Sequence, residues 1–192
     1  MLIDEPCLVL DLDEKAGRAH IETYDQLGQV TGIKLMLTTY FGSLGENLSL
    51  AADLPVDGLH IDLVRAPQQL EAVLAQVPAE KILPMGVVDG RNVWRADLDA
   101  ALAQIQRAVS VLGTEWIQIA PSCSLIFSPH DLDLETGLDA ELHSWLAFAR
   151  QKLDELVALT QAVNDGIDTE AESFSASRTT VKSWRDSTRQ RI

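Results

Sequence analysis

Five short apolar runs recur along the chain, each bounded by Gly, Pro or Asp, with helical patterning between them. They are Ile3–Asp11 (IDEPCLVLD), Lys34–Phe41 (KLMLTTYF), Gly58–Arg65 (GLHIDLVR), Ile82–Gly90 (ILPMGVVDG) and Trp116–Leu125 (WIQIAPSCSL). Runs of this length, rich in Ile, Leu and Val, are how strands buried on both faces read. Between them Leu98, Leu102, Ile105 and Val109 fall on one helical face, and Gly113 stands where a helix stop is wanted. Pro67 is placed to open a helix through Leu70, Val73 and Leu74. The longest helical pattern runs from about Leu138 to Val163, striped by Leu142, Trp145, Leu146, Ala149, Leu153 and Leu156, and Asn164-Asp165-Gly166 ends it. Strand and helix in alternation predict an α/β chain with parallel pairing and right-handed crossovers.

Two architectures fit: part of an eight-stranded (β/α) barrel, or an open flavodoxin-like sheet. A complete barrel takes about 250 residues, and this chain has 192. The expectation is five of the eight barrel units, a partial TIM-like barrel over residues 1–166, with the flavodoxin-like sheet as the alternative. Residues 167–192 differ in composition. Ser and Thr become frequent, and Arg178, Lys182, Arg185, Arg189 and Arg191 face only Asp168, Glu170, Glu172 and Asp186. We expect a polar, mildly basic tail there, or the start of an interdomain linker.

The formal charge is −14, and the excess of acid lies in the first 166 residues. Such a surface repels phosphate backbones and anionic membranes, so neither nucleic acid nor membrane is an expected partner. No window is long and apolar enough to span a bilayer. Met1-Leu2-Ile3-Asp4-Glu5-Pro6 has no basic stretch of the secretory kind. Cys7 and Cys123 are the only cysteines, which excludes a disulfide scaffold and a cysteine-rich zinc module. A cytoplasmic location follows as the expectation.

In both architectures ligands gather at the carboxyl ends of the strands. Thr38, Thr39 and Tyr40, then Asp62 and Arg65, then Asp89, Arg91, Asn92 and Trp94, then Ser122, Cys123 and Ser124 fall there. The binding candidates are Asp62, Asp89, Arg91, Trp94 and Cys123, with the pair Asp4 and Glu5, which could do acid–base work or grip an ammonium. The competing reading is loop chemistry: Asp89-Gly90 as a turn, and Ser122 and Ser124 satisfying backbone donors. A lone cysteine at a strand end, as Cys123 is, is more often a small buried hydrophobe than a ligand. His20, His60, His130 and His143 show no metal-ligand spacing, so no metal site is expected from this chain alone. The glycine patterns of dinucleotide-binding, P-loop and α/β-hydrolase sites do not occur.

The ordered blocks IDEP, LTTYFGSLGENL, LPVDGLHIDLVR, GVVDGRNVWRADL, APSCSLIFSPHDLDLE and LDAELHSWLAFARQKLDEL resemble the cobalamin-independent methionine synthases. The resemblance is to the second part of that family's amino-terminal barrel. It covers Ile3 to Gly166 and continues more loosely through Ser177-Arg178-Thr179-Thr180. It implies a cytoplasmic methyltransferase of methionine biosynthesis, which moves a methyl group from 5-methyltetrahydropteroyl-polyglutamate to homocysteine. It implies zinc too, held by a His, two Cys and a Glu of a carboxy-terminal barrel that this sequence does not contain. No catalytic residue of the family maps here, and no cofactor is expected in this chain. If the two barrels share ancestry, Thr38–Tyr40 stand where the His and first Cys belong, with Asp62 at the Glu and Cys123 at the second Cys, as vestiges of a zinc site. The expected partners are the missing barrel parts, a complementary chain or a second copy, with folate and homocysteine met only in the whole enzyme. By itself the chain would then be scaffold. A free-standing flavodoxin-like module that binds a small molecule near Asp62, Asp89 and Cys123 is the alternative.

Overall fold

Pro6 decides where the first strand stops. It has no N–H to give to a ladder, so β1 is only Leu2–Asp4 and Pro6–Val9 turn as a 3₁₀ helix. The single run expected over Ile3–Asp11 is therefore a strand followed by a turn. The computed structural model describes residues 1–187; Arg189 and Arg191 of the basic tail lie outside the described residues. The remaining strands are β2 (Met36–Thr38), β3 (Gly58–Asp62), β4 (Leu83–Val88) and β5 (Ile117–Pro121).

The strands form one parallel sheet in the order β1-β2-β3-β4-β5. Leu2 pairs with Met36, Met36 with Gly58 and Ile61 with Met85. Each strand lies beside its sequence neighbour, as in a singly wound barrel. A flavodoxin-like sheet reverses its order at a switch point, and this sheet does not, so that alternative is set aside. β3 and β4 are buried along their whole length, while β1 and β5, at the two ends of the order, are partly exposed.

The helices are α1 (Glu14–Leu27), α2 (Leu48–Asp53), α3 (Leu70–Gln76), α4 (Leu98–Leu112), α5 (Ala140–Trp145), α6 (Ala149–Asp165) and α7 (Ala171–Asp186). α1 completes the first repeat and starts at Asp13, whose carboxylate accepts from Ala16 N at 2.7 Å. Pro67 opens the 3₁₀ turn that leads into α3. α4 ends before Gly113, at φ 92°, a left-handed angle that suits glycine.

The chain forms two compact units: Met1–Val87 with Arg107–Cys123, and Val88–Gln106 with the chain from Ser124 onward. In the first, Leu8, Leu37, Leu59, Ile61, Leu83 and Met85 are wholly buried. Lys81 is buried there too, its amine donating to Ala52 O and Leu54 O at the end of α2. In the second, Leu132, Leu146 and Phe148 form a cluster against Val93, Leu138 and Leu142.

The long helix expected over Leu138–Val163 is two helices. Leu146-Ala147-Phe148 leave the helix because their backbone is claimed elsewhere. Arg95 N donates to Trp145 O at 2.9 Å and Ala147 N to Val93 O at 2.8 Å, an antiparallel bridge centred on Trp94 and Leu146. α6 ends before Gly166 at φ 94°. Beyond it the chain continues as α7, in which Phe174, Ser177 and Thr180 are buried. Ser177 ties α7 to Ala96 O and Leu98 N, and Trp145 donates to Ser183. The second compact unit includes both α6 and α7.

Candidate functional site at the strand ends

Asp62 closes β3 with its carboxylate turned to the backbone. Oδ1 accepts from Val64 N at 3.0 Å and Arg65 N at 2.9 Å, and Oδ2 accepts from Phe41 N at 2.9 Å. The residue is 1% exposed. Phe41 stands at φ 78°, a left-handed angle that costs a residue with a Cβ about 1–2 kcal/mol. Asp62 therefore clamps a strained turn after β2 to the loop after β3. Gln69 supports the same turn, donating to Asp62 O at 2.8 Å and accepting from Leu44 N at 3.1 Å.

His60 lies one turn of the pleat below, 5% exposed. Its Nδ1 meets Thr39 O at 2.7 Å and its Nε2 meets Pro121 O at 3.0 Å. The ring thus reaches from β3 to the end of β5. Gly86 of β4 leaves it room: a Cβ there would stand 2.9 Å from His60 Nε2 and 2.8 Å from both Ile61 O and Ser122 Cα. Thr39 closes the ring of contacts by donating to His60 O at 2.7 Å.

Tyr40 joins two of the expected binding residues. Burial pushes its hydroxyl above the usual phenol range, and the nearby Asp4 carboxylate and Cys123 act in the same direction. Cys123 is 4% exposed. Asp4, Tyr40 and Cys123 therefore form one neighbourhood in the first unit. Glu5 faces elsewhere, towards Cys7, His20 and Tyr24.

Asp89, Arg91 and Trp94 belong to the second unit. Asp89 makes an Asx turn: Oδ1 accepts from Arg91 N at 2.8 Å, and Oδ2 from Asn92 Nδ2 at 2.6 Å. Asn92 Oδ1 in turn accepts from Trp94 N at 3.0 Å. Trp94 is partly exposed, 6.5 Å from Trp184 between ring centroids, and both line a surface cavity of about 240 Å³ with Arg95, Trp145 and Arg185. Behind that turn Lys152, fully buried, donates to Trp94 O at 2.9 Å. Glu155 accepts from Ala96 N through Oε1, and its other oxygen is buried without a partner. Burial raises the Glu155 carboxyl above the usual range, with the Lys152 charge opposing.

The zinc implied by the resemblance does not fit the residues at the ends of β2, β3 and β5. Three amides occupy both oxygens of Asp62, and Thr38–Tyr40 offer neither an imidazole nor a thiolate. Among the described residues, the His, Cys and carboxylate atoms that do converge belong to Glu5, Cys7 and His20. Cys7 and His20 were not expected as site residues. The available signal was Asp13, a helix cap, which puts His20 and Tyr24 one turn apart on α1. No helix among the described residues is long and apolar enough to cross a membrane.

Residues 1–113 match the family described as cobalamin-independent synthase, N-terminal domain. A 5-methyltetrahydropteroyltriglutamate–homocysteine methyltransferase of Nitrobacter winogradskyi is 54% identical over 176 residues, 91% of this chain and 23% of the relative. A protein of the same name from Rhodopseudomonas palustris (strain CGA009) is 48% identical over 186 residues, 96% of this chain and 24% of the relative. The chain thus spans about a quarter of the length of these relatives. The crystal structure of a putative vitamin-B12 independent methionine synthase from Listeria monocytogenes shares the fold, with a TM-score of 0.51 at 17% identity, over 85% of this chain and 47% of that one. The consecutive parallel sheet and the family match agree, and the chain belongs to the cobalamin-independent synthase family, to its N-terminal domain.

Proposed function

We propose that this chain is a structural part of the amino-terminal barrel of a cytoplasmic cobalamin-independent methionine synthase, and that residues outside it carry methyl transfer to homocysteine. The observation that supports this most is what the strand-end side chains do. Asp62, His60, Thr39 and Gln69 spend their polar atoms on backbone groups, and Asp89 spends its own on Arg91 N and the Asn92 side chain, as scaffold residues do. β1 and β5 end the sheet order, and in a barrel their outer edges pair with further strands. The partners of this chain are then the remaining barrel strands, supplied by a longer polypeptide, a complementary chain or a second copy. Folate and homocysteine bind only in the whole enzyme, and the chain beyond Gly166 begins the connection to its other barrel.

Complementation tests this. A relative's synthase lacking the matched quarter is mixed with this chain, and methionine formation from the methyl-folate donor is followed. Methionine formed only in the mixture supports the proposal. Failure of the mixture, with both polypeptides folded, overturns it.

A further inference from the structure

Glu5, Cys7 and His20 come together because three local events coincide. Glu5 follows β1 and is held there by its own N–H, which donates to Thr38 O at 2.8 Å. Pro6 turns the chain so that Cys7 comes round beside Glu5. α1 then returns with His20 and Tyr24 one turn apart on one face. All four residues lie in the first compact unit.

The three donor atoms form a nearly equilateral triangle. Cys7 Sγ is 3.5 Å from Glu5 Oε2 and 3.6 Å from His20 Nε2, and His20 Nε2 is 3.7 Å from Glu5 Oε2. A tetrahedral zinc ion, with bonds of about 2.3 Å to sulfur, 2.0 Å to nitrogen and 2.1 Å to oxygen, requires edges of about 3.4–3.6 Å. The two edges at sulfur match that face to about 0.1 Å, and the His20–Glu5 edge is about 0.3 Å longer, a gap that a small side-chain adjustment closes.

The surroundings prepare each atom for a cation. His20 Nδ1 lies 2.9 Å from Ala16 O. A carbonyl cannot donate, so Nδ1 carries a hydrogen, and Nε2 is the ring nitrogen that faces Cys7 and Glu5 and is free to bind a metal. Tyr24 donates to the other Glu5 oxygen at 3.1 Å and fixes the carboxylate with Oε2 facing the triangle. These are the outer contacts that orient metal ligands. The His20 and Glu5 side chains are 13% and 26% exposed, shielded yet reachable from solvent.

We propose that Glu5 Oε2, Cys7 Sγ and His20 Nε2 form a divalent-metal site of the zinc class, with a fourth position left to solvent. A sulfur, a nitrogen and an oxygen suit zinc or cobalt; magnesium and calcium take oxygen alone. This site stands apart from the zinc of the family's carboxy-terminal barrel and does not depend on the proposed scaffold role.

Cobalt(II) titration of the metal-stripped, reduced chain tests it. The expected result is saturation at one cobalt per chain, with a thiolate-to-cobalt band in the near ultraviolet that stoichiometric zinc removes. Cys7→Ser abolishes the band, and Cys123→Ser leaves it. His20→Ala and Glu5→Gln weaken binding by more than about tenfold, and Tyr24→Phe by about tenfold, the usual effect of losing an outer contact. Absence of a saturable thiolate band in the unmodified chain overturns the proposal, and that reading needs no variant to fold. A band that survives Cys7→Ser, or disappears with Cys123→Ser, overturns it as well.

Discussion

Asp62→Asn separates a ligand residue from a loop clamp. The asparagine amide must replace one carboxylate oxygen. In its better orientation it keeps an oxygen towards Val64 N and Arg65 N and turns –NH₂ towards Phe41 N, where two donors meet. One charge-assisted bond is lost, worth about 2 kcal/mol, and the other two fall to neutral bonds at about 1 kcal/mol each. Freed from its carboxylate, the Phe41 backbone relaxes from φ 78° and returns about 1 kcal/mol. The net loss is about 3 kcal/mol. With a urea slope of about 2 kcal/mol/M, the midpoint falls by about 1.5 M, read by far-ultraviolet circular dichroism. In a Phe41→Gly background no strain remains to be released, so the same substitution costs about 1 kcal/mol more. An unchanged midpoint refutes the clamp and returns Asp62 to the binding candidates.

Gly86→Ala drives a methyl group into Ile61 O and Ser122 Cα, and overpacking against backbone costs about 3 kcal/mol, measured as a lowered urea midpoint. Gly17→Ala is its opposite: within α1 the new methyl meets only Leu50 Cδ2 at 4.0 Å, and the chain gains about 0.5–1 kcal/mol on the same assay. Glu155 binds its proton more tightly folded than unfolded, so its contribution is greatest below pH 4.5 and is lost as pH rises through the raised folded value. Glu155→Gln should remove that falling slope from the urea midpoint measured against pH. Asp99 and Asp131 act in the opposite sense. The hydrogen bond from Arg178, and those from Gln151 and the Asp133 amide, hold them below 3.8, so their contribution is lost at still lower pH and the two windows separate. The terminal strands β1 and β5 should make the isolated chain self-associate, seen by light scattering as a mass above 21.0 kDa that grows with concentration.

The parallel sheet was legible because β3 and β4 are buried throughout, and burial on both faces leaves an unbroken apolar run. The sequential order of its strands was not. Repeat spacing is the same in a barrel and a doubly wound sheet, and it is the pairing of β2 with β3, where a flavodoxin-like sheet pairs β1 with β3, that decides between them. The break at Leu146–Phe148 was hidden for a related reason. Helical periodicity continues through it, and the cause is a backbone bridge to Val93–Arg95, more than fifty residues away. The Ser- and Thr-rich stretch beyond Gly166 lacks a strong apolar stripe, yet α7 packs through Phe174 and through hydroxyls of Ser177, Thr180 and Ser183.

Of the site, the turn reading of Asp89 was legible from Asp-Gly, whereas the three amides on Asp62 come partly from a loop twenty-one residues earlier. Glu5 was marked by its place beside Asp4 and Pro6. Cys7 and His20 carried no metal-ligand spacing, because a turn and a helix return, rather than one helix face, bring them together.

The central claim is that this chain is scaffold for chemistry carried elsewhere. Its most direct test is methyl transfer by the purified chain alone. The chain is supplied with zinc, homocysteine and labelled 5-methyltetrahydropteroyltriglutamate, and labelled methionine is counted. The account predicts no methionine above the protein-free blank. Zinc-dependent turnover by the isolated chain contradicts it.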